Sequence, residues 1–143
     1  MKVESIDILS GDFRKAGRQA QQTMNMNINL VGARAEGSLL DIDFEFVATY
    51  YPDGSHIRIL GKAFLRGTEE EAAGAAAEWA SSGKVGGEAG ELIINAINYS
   101  CSINSVLVSR AINIAPPIVL PTLTLGETAS EPAKKAPKPP RKK

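Results

Sequence analysis

The sequence predicts an α+β domain, an antiparallel sheet followed by a short and a long helix and ending in an apolar, proline-containing strap. Three observations carry this expectation. Over much of the first half, apolar residues alternate with polar ones, the period of a half-buried strand. Near Gly67 the period changes to that of a helix and holds to about Arg110. Beyond it, Pro116, Pro117 and Pro121 interrupt an apolar run, which excludes a regular helix and favours extended backbone.

Val3–Leu9 is short and mixed and reads as a first strand, and Asp12–Gln22 as a polar, partly helical connection. Met24, Met26, Ile28 and Leu30 then share one face against Asn25, Asn27 and Asn29, a half-buried strand. Gly32–Gly37 reads as a polar turn. The strongest pattern follows: Leu40, Ile42, Phe44, Phe46, Ala48 and Tyr50 on one side, with Asp41, Asp43 and Glu45 on the other. Helical spacing would scatter those acids through the apolar set, whereas a strand collects them on one face. Tyr51-Pro52-Asp53-Gly54-Ser55 carries turn chemistry, with Pro presetting φ and Asp-Gly accepting a left-handed conformation. A partner strand runs from His56 to Arg66, and it sets Arg58, Lys62 and Arg66 beside the acidic row. That pairing is expected to fix register rather than to bind a ligand.

Thr68 is placed to cap a helix whose first turn holds Glu69, Glu70 and Glu71, with an Ala-rich run to Ala80. Ser81–Gly90, with four glycines, reads as a loop. The main helix runs from Glu91 to about Arg110. Leu92, Ala96, Tyr99, Ile103, Val106 and Leu107 share a stripe that Ile93, Ile97 and Cys101 broaden. A stripe that wide predicts burial on more than one side, against the sheet and against another subunit. The strap, Ile114–Leu125, is too apolar for a solvated linker. Two readings of it stay open: it closes the domain's own core, or it walls an apolar groove for extended polypeptide.

Residues 1–125 form the expected domain, and residues 126–143 a disordered tail rich in Pro, Ala and Lys. The 143-residue chain is formally neutral. Six basic and two acidic residues from Gly126 onward make the tail +4, which leaves −4 on the rest. The tail solubilises the protein or makes a weak contact with an anionic partner, and it has no aromatic residue for base stacking. Cys101 is the only cysteine, so an intrachain disulfide and a multi-thiolate metal site are excluded. The N-terminus lacks the basic start and continuous apolar run of a secretory signal, and no stretch approaches the ~20 apolar residues of a membrane span. A cytoplasmic protein is expected.

No catalytic residue, metal ligand set or cofactor site emerges. His56, the only histidine, follows a turn and reads as a surface strand residue. Asp41, Asp43 and Glu45 could serve carboxylate or hard-metal chemistry, but a salt-bridged face is the simpler reading. Gly83-Lys84-Val85-Gly86-Gly87 lacks the Lys-Ser/Thr of a phosphate loop. Cys101 reads as a buried small hydrophobe.

The order of strands, long helix and apolar Pro segment resembles the SecB family of chaperones, in particular the SecB-like proteins of archaea and of toxin–antitoxin systems. The resemblance covers about Val3–Leu125. It rests on the hairpin Leu39–Arg66, on the helix Ile97–Arg110 with its cysteine, and on the strap that follows. It implies a four-stranded antiparallel sheet with a long packed helix, assembly as a dimer of dimers, and an ATP-independent holdase for unfolded or precursor proteins. It also implies client contacts from Tyr50, Tyr51, Ile114, Ile118, Leu120, Leu123 and Leu125. Members that deliver precursors to the SecA motor have a further C-terminal helix and a zinc-associated tail. This chain has neither pattern, so SecA is not an expected partner. Two other readings stand beside the chaperone: an adaptor or structural subunit with one dedicated partner, and a nucleic-acid- or ribosome-associated protein acting through its tail.

Overall fold

The computed structural model describes residues 1–17 and 23–118. Four strands, β1 (Lys2–Arg14), β2 (Thr23–Glu36), β3 (Leu39–Tyr51) and β4 (His56–Arg66), precede two helices, α1 (Glu69–Ser82) and α2 (Gly87–Ala111). The sheet is antiparallel throughout, in the order β1-β4-β3-β2. β3 and β4 therefore lie at the centre, and β1 and β2 form the two edges.

The alternation in β3 decides the architecture. Leu40, Ile42, Phe44, Phe46, Ala48 and Tyr50 are all buried, together with Ile57, Ile59, Ala63 and Leu65 of β4. α1 and α2 cover this inner face, α1 mainly over β2 and α2 mainly over β1 and β4. Ala72, Ala75, Ile93, Ile97 and Cys101 complete the core. Each large side chain taken fully out of water is worth about 1.5–3 kcal/mol. Packing at the sheet centre is tight. A Cβ on Gly61 would lie 2.6 Å from Cζ of Phe44, its ladder partner, and 2.5 Å from the Asp7 carbonyl oxygen.

On the outer face the acidic and basic rows meet as expected. Lys62 Nζ lies 2.9 Å from Asp41 and 3.0 Å from Asp43, and Arg58 lies 3.0 Å from Glu45. Arg66 pairs instead with Glu4 of β1, at 3.1 Å. Hydrogen bonds that Lys62 donates to Asp41, then to Asp43, push its ammonium upward, and the one Arg58 donates to Glu45 does the same for its guanidinium. Such exposed pairs are screened by water and add little to stability. They select register, while the apolar inner face supplies stability.

Several boundaries differ from the expected ones. β1 runs on to Arg14, through residues read as connection, because Ser10–Arg14 finds ladder partners in Leu60–His56. β2 continues through the segment read as a turn. Its ladder to β3 shifts between Leu30 and Gly32, leaving Val31 in a bulge, and Ala33 resumes the inward row. The turn itself is Gly37-Ser38, with Gly37 at φ +57°. The expected Ser81–Gly90 loop shrinks to residues 83–86. α1 closes on left-handed Gly83, whose N–H donates to Trp79 O, and α2 starts at Gly87. The α2 stripe is also rotated from expectation. Ile93, Ile97, Cys101, Ser105 and Ser109 face the sheet, while Tyr99, Ile103 and Leu107 face outward. By length and composition alone α2 could cross a membrane, with a mean hydropathy of 1.3, contrary to the expectation of no such stretch. One side of it packs on the sheet, as a core helix does.

The N-terminus of α1 shows reciprocal capping. Thr68 Oγ1 accepts from the Glu71 N–H, and the Glu71 carboxylate accepts from the Thr68 N–H at 2.8 Å. The backbone hydrogen bond from Thr68, with the nearby N-terminal ammonium, holds the Glu71 carboxyl below its ordinary range. A depressed carboxyl stabilises the fold above its unfolded pKa, and that contribution is lost as pH falls through the folded value. Thr68→Ala should cost roughly 1 kcal/mol in urea unfolding at pH 7. Glu71→Gln should flatten the acid limb of the stability–pH curve, and an unchanged limb would rule out this role for Glu71.

Candidate functional site

α2 ends in a Schellman-type cap. Asn113 takes a left-handed conformation (φ +54°), the Ile114 N–H donates to Ser109 O at 2.9 Å, and the Asn113 N–H to Arg110 O at 3.4 Å. This cap turns the chain sharply and drops Ile114 into the core. Residues 114–118 then reach Tyr50 of β3. The Tyr50 hydroxyl donates to the Ala115 carbonyl, and Pro117 is fully buried. Burial pushes the Tyr50 phenol up to about 12, so it stays a neutral donor.

The β3–β4 turn lies at the same end. The Asp53 carboxylate accepts from the Ser55 N–H (2.9 Å) and hydroxyl (2.8 Å), and Ser55 Oγ accepts from the Ala16 N–H (3.0 Å). Buried Ser55 thereby ties the start of the β1–β2 connection to the hairpin. The Tyr51–Pro52 bond here is cis.

The expected client residues are distributed unevenly. Tyr50 and Ile114 are enclosed in the core and hold the strap down. Tyr51 is 49 % exposed and Ile118 half-buried. Leu120, Leu123 and Leu125 lie outside the described residues. Sequence reasoning did not place the inner row of β2 in a site. Met24, Met26, Ile28 and Leu30 reach the core but remain half-buried, because β2 is an edge strand. From Thr23 to Leu30 its ladder to β3 is free of bulges, whereas the ladder of β1 is broken at Glu4 and again at Leu9. Unpaired N–H and C=O groups on an unbroken edge are a template for another extended chain. β2 thus offers backbone pairing groups beside an apolar methionine shelf.

A second apolar surface has the opposite shape. Tyr99, Ile103 and Leu107 are 72 %, 50 % and 69 % exposed on α2. Leu92, Ala96, Tyr99, Ile103 and Val106 alternate spacings of four and three, the seam by which helices pack on helices. A convex helix face has no free backbone groups for an extended peptide, so the two surfaces suit different partners.

Chemistry is sparse. Among the described residues no group of three or more His, Cys, Asp and Glu is placed to hold a metal ion. His56 Nε2 lies 3.3 Å from Asp12 at the surface. A cleft of about 320 Å³ between α1 and α2 is lined by acids, including Glu70, Glu71 and Glu78, together with Met1 and Leu92. Cys101 is fully buried, and desolvation pushes its thiol up to about 12.

This architecture is the SecB-like fold, the class anticipated from the sequence. Over 86 % of this chain and 87 % of the other, the structure superimposes on the Mycobacterium tuberculosis Rv1957 SecB-like chaperone in complex with a ChAD peptide from the Rv1956 HigA1 antitoxin, with a TM-score of 0.50 and 13 % identity. No family model matches the sequence, and no curated protein matches it. The likeness is one of fold.

A thiol reagent at pH 8 should leave Cys101 unmodified in the native protein and react fully in denaturant, because only the thiolate attacks and the buried thiol stays protonated. Rapid native labelling would show that α2 does not sit on the sheet as described.

Proposed function

We propose that this chain is a non-enzymatic, ATP-independent holdase that binds unfolded or precursor polypeptides in the cytoplasm, with protein export among its uses. The observation that carries the proposal is the unbroken β2 edge beside the half-buried row Met24, Met26 and Ile28, set in a SecB-like fold. A client segment in extended form would add a strand to β2 and lay alternate apolar side chains on the shelf. Backbone pairing is indifferent to sequence, and methionines adapt to differently shaped side chains. Such a site selects extended, apolar chains as a class. The antitoxin peptide held by the mycobacterial protein supports a segment of another chain as the ligand here too.

The same reading assigns the α2 stripe to a second copy of the chain, as one interface of a dimer of dimers. A helix face of this kind is self-complementary across a two-fold axis. Tyr99→Glu with Leu107→Glu should lower the particle mass seen by light scattering while leaving circular dichroism unchanged. An unchanged mass would remove the stripe from the assembly.

For the holding activity, the wild-type chain should suppress aggregation of a chemically unfolded model protein without ATP at stoichiometric ratios. Met24→Ser with Met26→Ser should weaken capture at least ten-fold, since each buried methionine contributes about 1.5–3 kcal/mol before ordering costs. No suppression by the folded wild-type protein would favour an adaptor with one dedicated partner.

A further inference from the structure

The two sheet edges differ in how they are guarded. Edge strands of natural sheets carry charges, prolines or bulges that discourage pairing with another chain. β1 is guarded in this way, by Lys2, Glu4, Asp7, Asp12 and Arg14 along its length and by ladder breaks at Glu4 and Leu9. From Thr23 to Leu30, β2 has no charge, no proline and no bulge. Its outer row, on the side of the sheet away from α1 and α2, is Asn25, Asn27 and Asn29, all exposed. Asparagine is among the residues that strands avoid, and threonine would solvate the same face at a better β propensity. The Asn27 Nδ2 group donates to Asn29 Oδ1 at 3.2 Å, so part of an amide ladder already runs along the strand. Each amide has two N–H donors and two acceptor lone pairs, and this bond uses only one donor and one lone pair of the row. The ladder partners on β3 take up little of the rest: Val47, opposite Asn27, has no polar side-chain atom, and Glu45, opposite Asn29, is held by Arg58.

We infer that Asn25, Asn27 and Asn29 select the polar half of a client's pattern, and that the favoured client is an extended segment in which apolar residues alternate with Asn, Gln, Ser or Thr. Added to β2 as a strand, such a segment sets its polar row beside the three amides, on the face that no described element covers. Each cross-strand amide or hydroxyl pair shifts binding by roughly 1.4- to 5-fold. The row holds no charge, so it offers no ion pair to a segment whose polar row is Lys or Glu. The methionine row and the asparagine row thus read the two faces of one added strand, the first by burial and the second by hydrogen bonding. The inference rests on the reading of β2 as the client edge and adds to it the class of client.

Three fluorescent peptides test this on the full chain. All carry Val at every second position, and the positions between are Gln in the first, Ala in the second and Lys in the third. The wild-type chain should bind the Gln peptide at least five-fold more tightly than either of the others. Asn25→Ala/Asn27→Ala/Asn29→Ala should bind the Ala peptide as the wild type does, because the backbone edge and the methionine row are intact, but its preference for Gln over Ala should fall below two-fold. Gln at the three positions should restore the preference, which a merely structural row would not do. Asn27→Ala alone should narrow the preference at least 1.5-fold, so the test does not depend on the triple variant folding. A preference that survives in the folded alanine variants overturns the inference. So does equal binding of the three peptides by the wild-type chain, which would leave β2 as an edge that pairs through backbone alone. Folded wild-type protein that binds none of the peptides removes the client edge itself, and the inference with it.

Discussion

Six side chains of β3, from Leu40 to Tyr50 at every second position, have to leave water together, and the rest of the chain is arranged to let them. β4 supplies the matching row and the charges that fix its register. α1 and α2 lie across the inner face. After α2, Ile114 and Pro117 are buried, and the Tyr50 hydroxyl donates to the Ala115 carbonyl. Tyr50 therefore joins two roles. Its ring belongs to the core, and its hydroxyl holds the Ala115 carbonyl.

What one sheet and two helices cannot cover defines the surfaces available to partners. α2 is apolar on two sides, and among the described residues the side with Ile93, Ile97 and Cys101 is the one buried. β2 is an edge, so its inner row is only half enclosed, and its backbone is paired on one side. The first surface is a convex ridge suited to another helix. The second, among the described residues, is an edge whose backbone is paired on one side, suited to an extended chain. This difference in shape and hydrogen-bonding capacity supports separate roles in self-assembly and in peptide binding. The charged outer face, with Lys62 bridging Asp41 and Asp43, is internally neutralised and needs neither partner.

The hairpin from Leu39 to Arg66 was legible in the sequence almost to the residue, because strict alternation and a turn sequence agree there. The mixed fold and the Thr68 cap were legible for similar reasons. The far half of β2 was not, since the bulge at Val31 breaks the alternation and makes Gly32–Glu36 resemble a turn. The start of α2 was hidden by Gly86, Gly87 and Gly90. The face that α2 buries, Ile93, Ile97 and Cys101, was read as the margin of a broader stripe, because the larger side chains lie on the other side. The helix approaches the sheet through Cys101, Ser105 and Ser109, small residues that permit close contact. Strand order was beyond reach, as nothing local in Lys2–Arg14 favours β4 over β2. The strap was recognised as apolar, but the enclosure of Ile114 depends on the left-handed Asn113 cap that ends α2.

The account turns on the β2 edge as the place where an extended polypeptide is held. Amide hydrogen exchange of the full chain, with and without a saturating extended apolar peptide, tests this most directly. The account predicts that bound peptide slows exchange along Thr23–Leu30, where the edge gains a strand. Protection confined to the Tyr99–Leu107 stretch of α2 or to β1, with β2 unchanged, would contradict it.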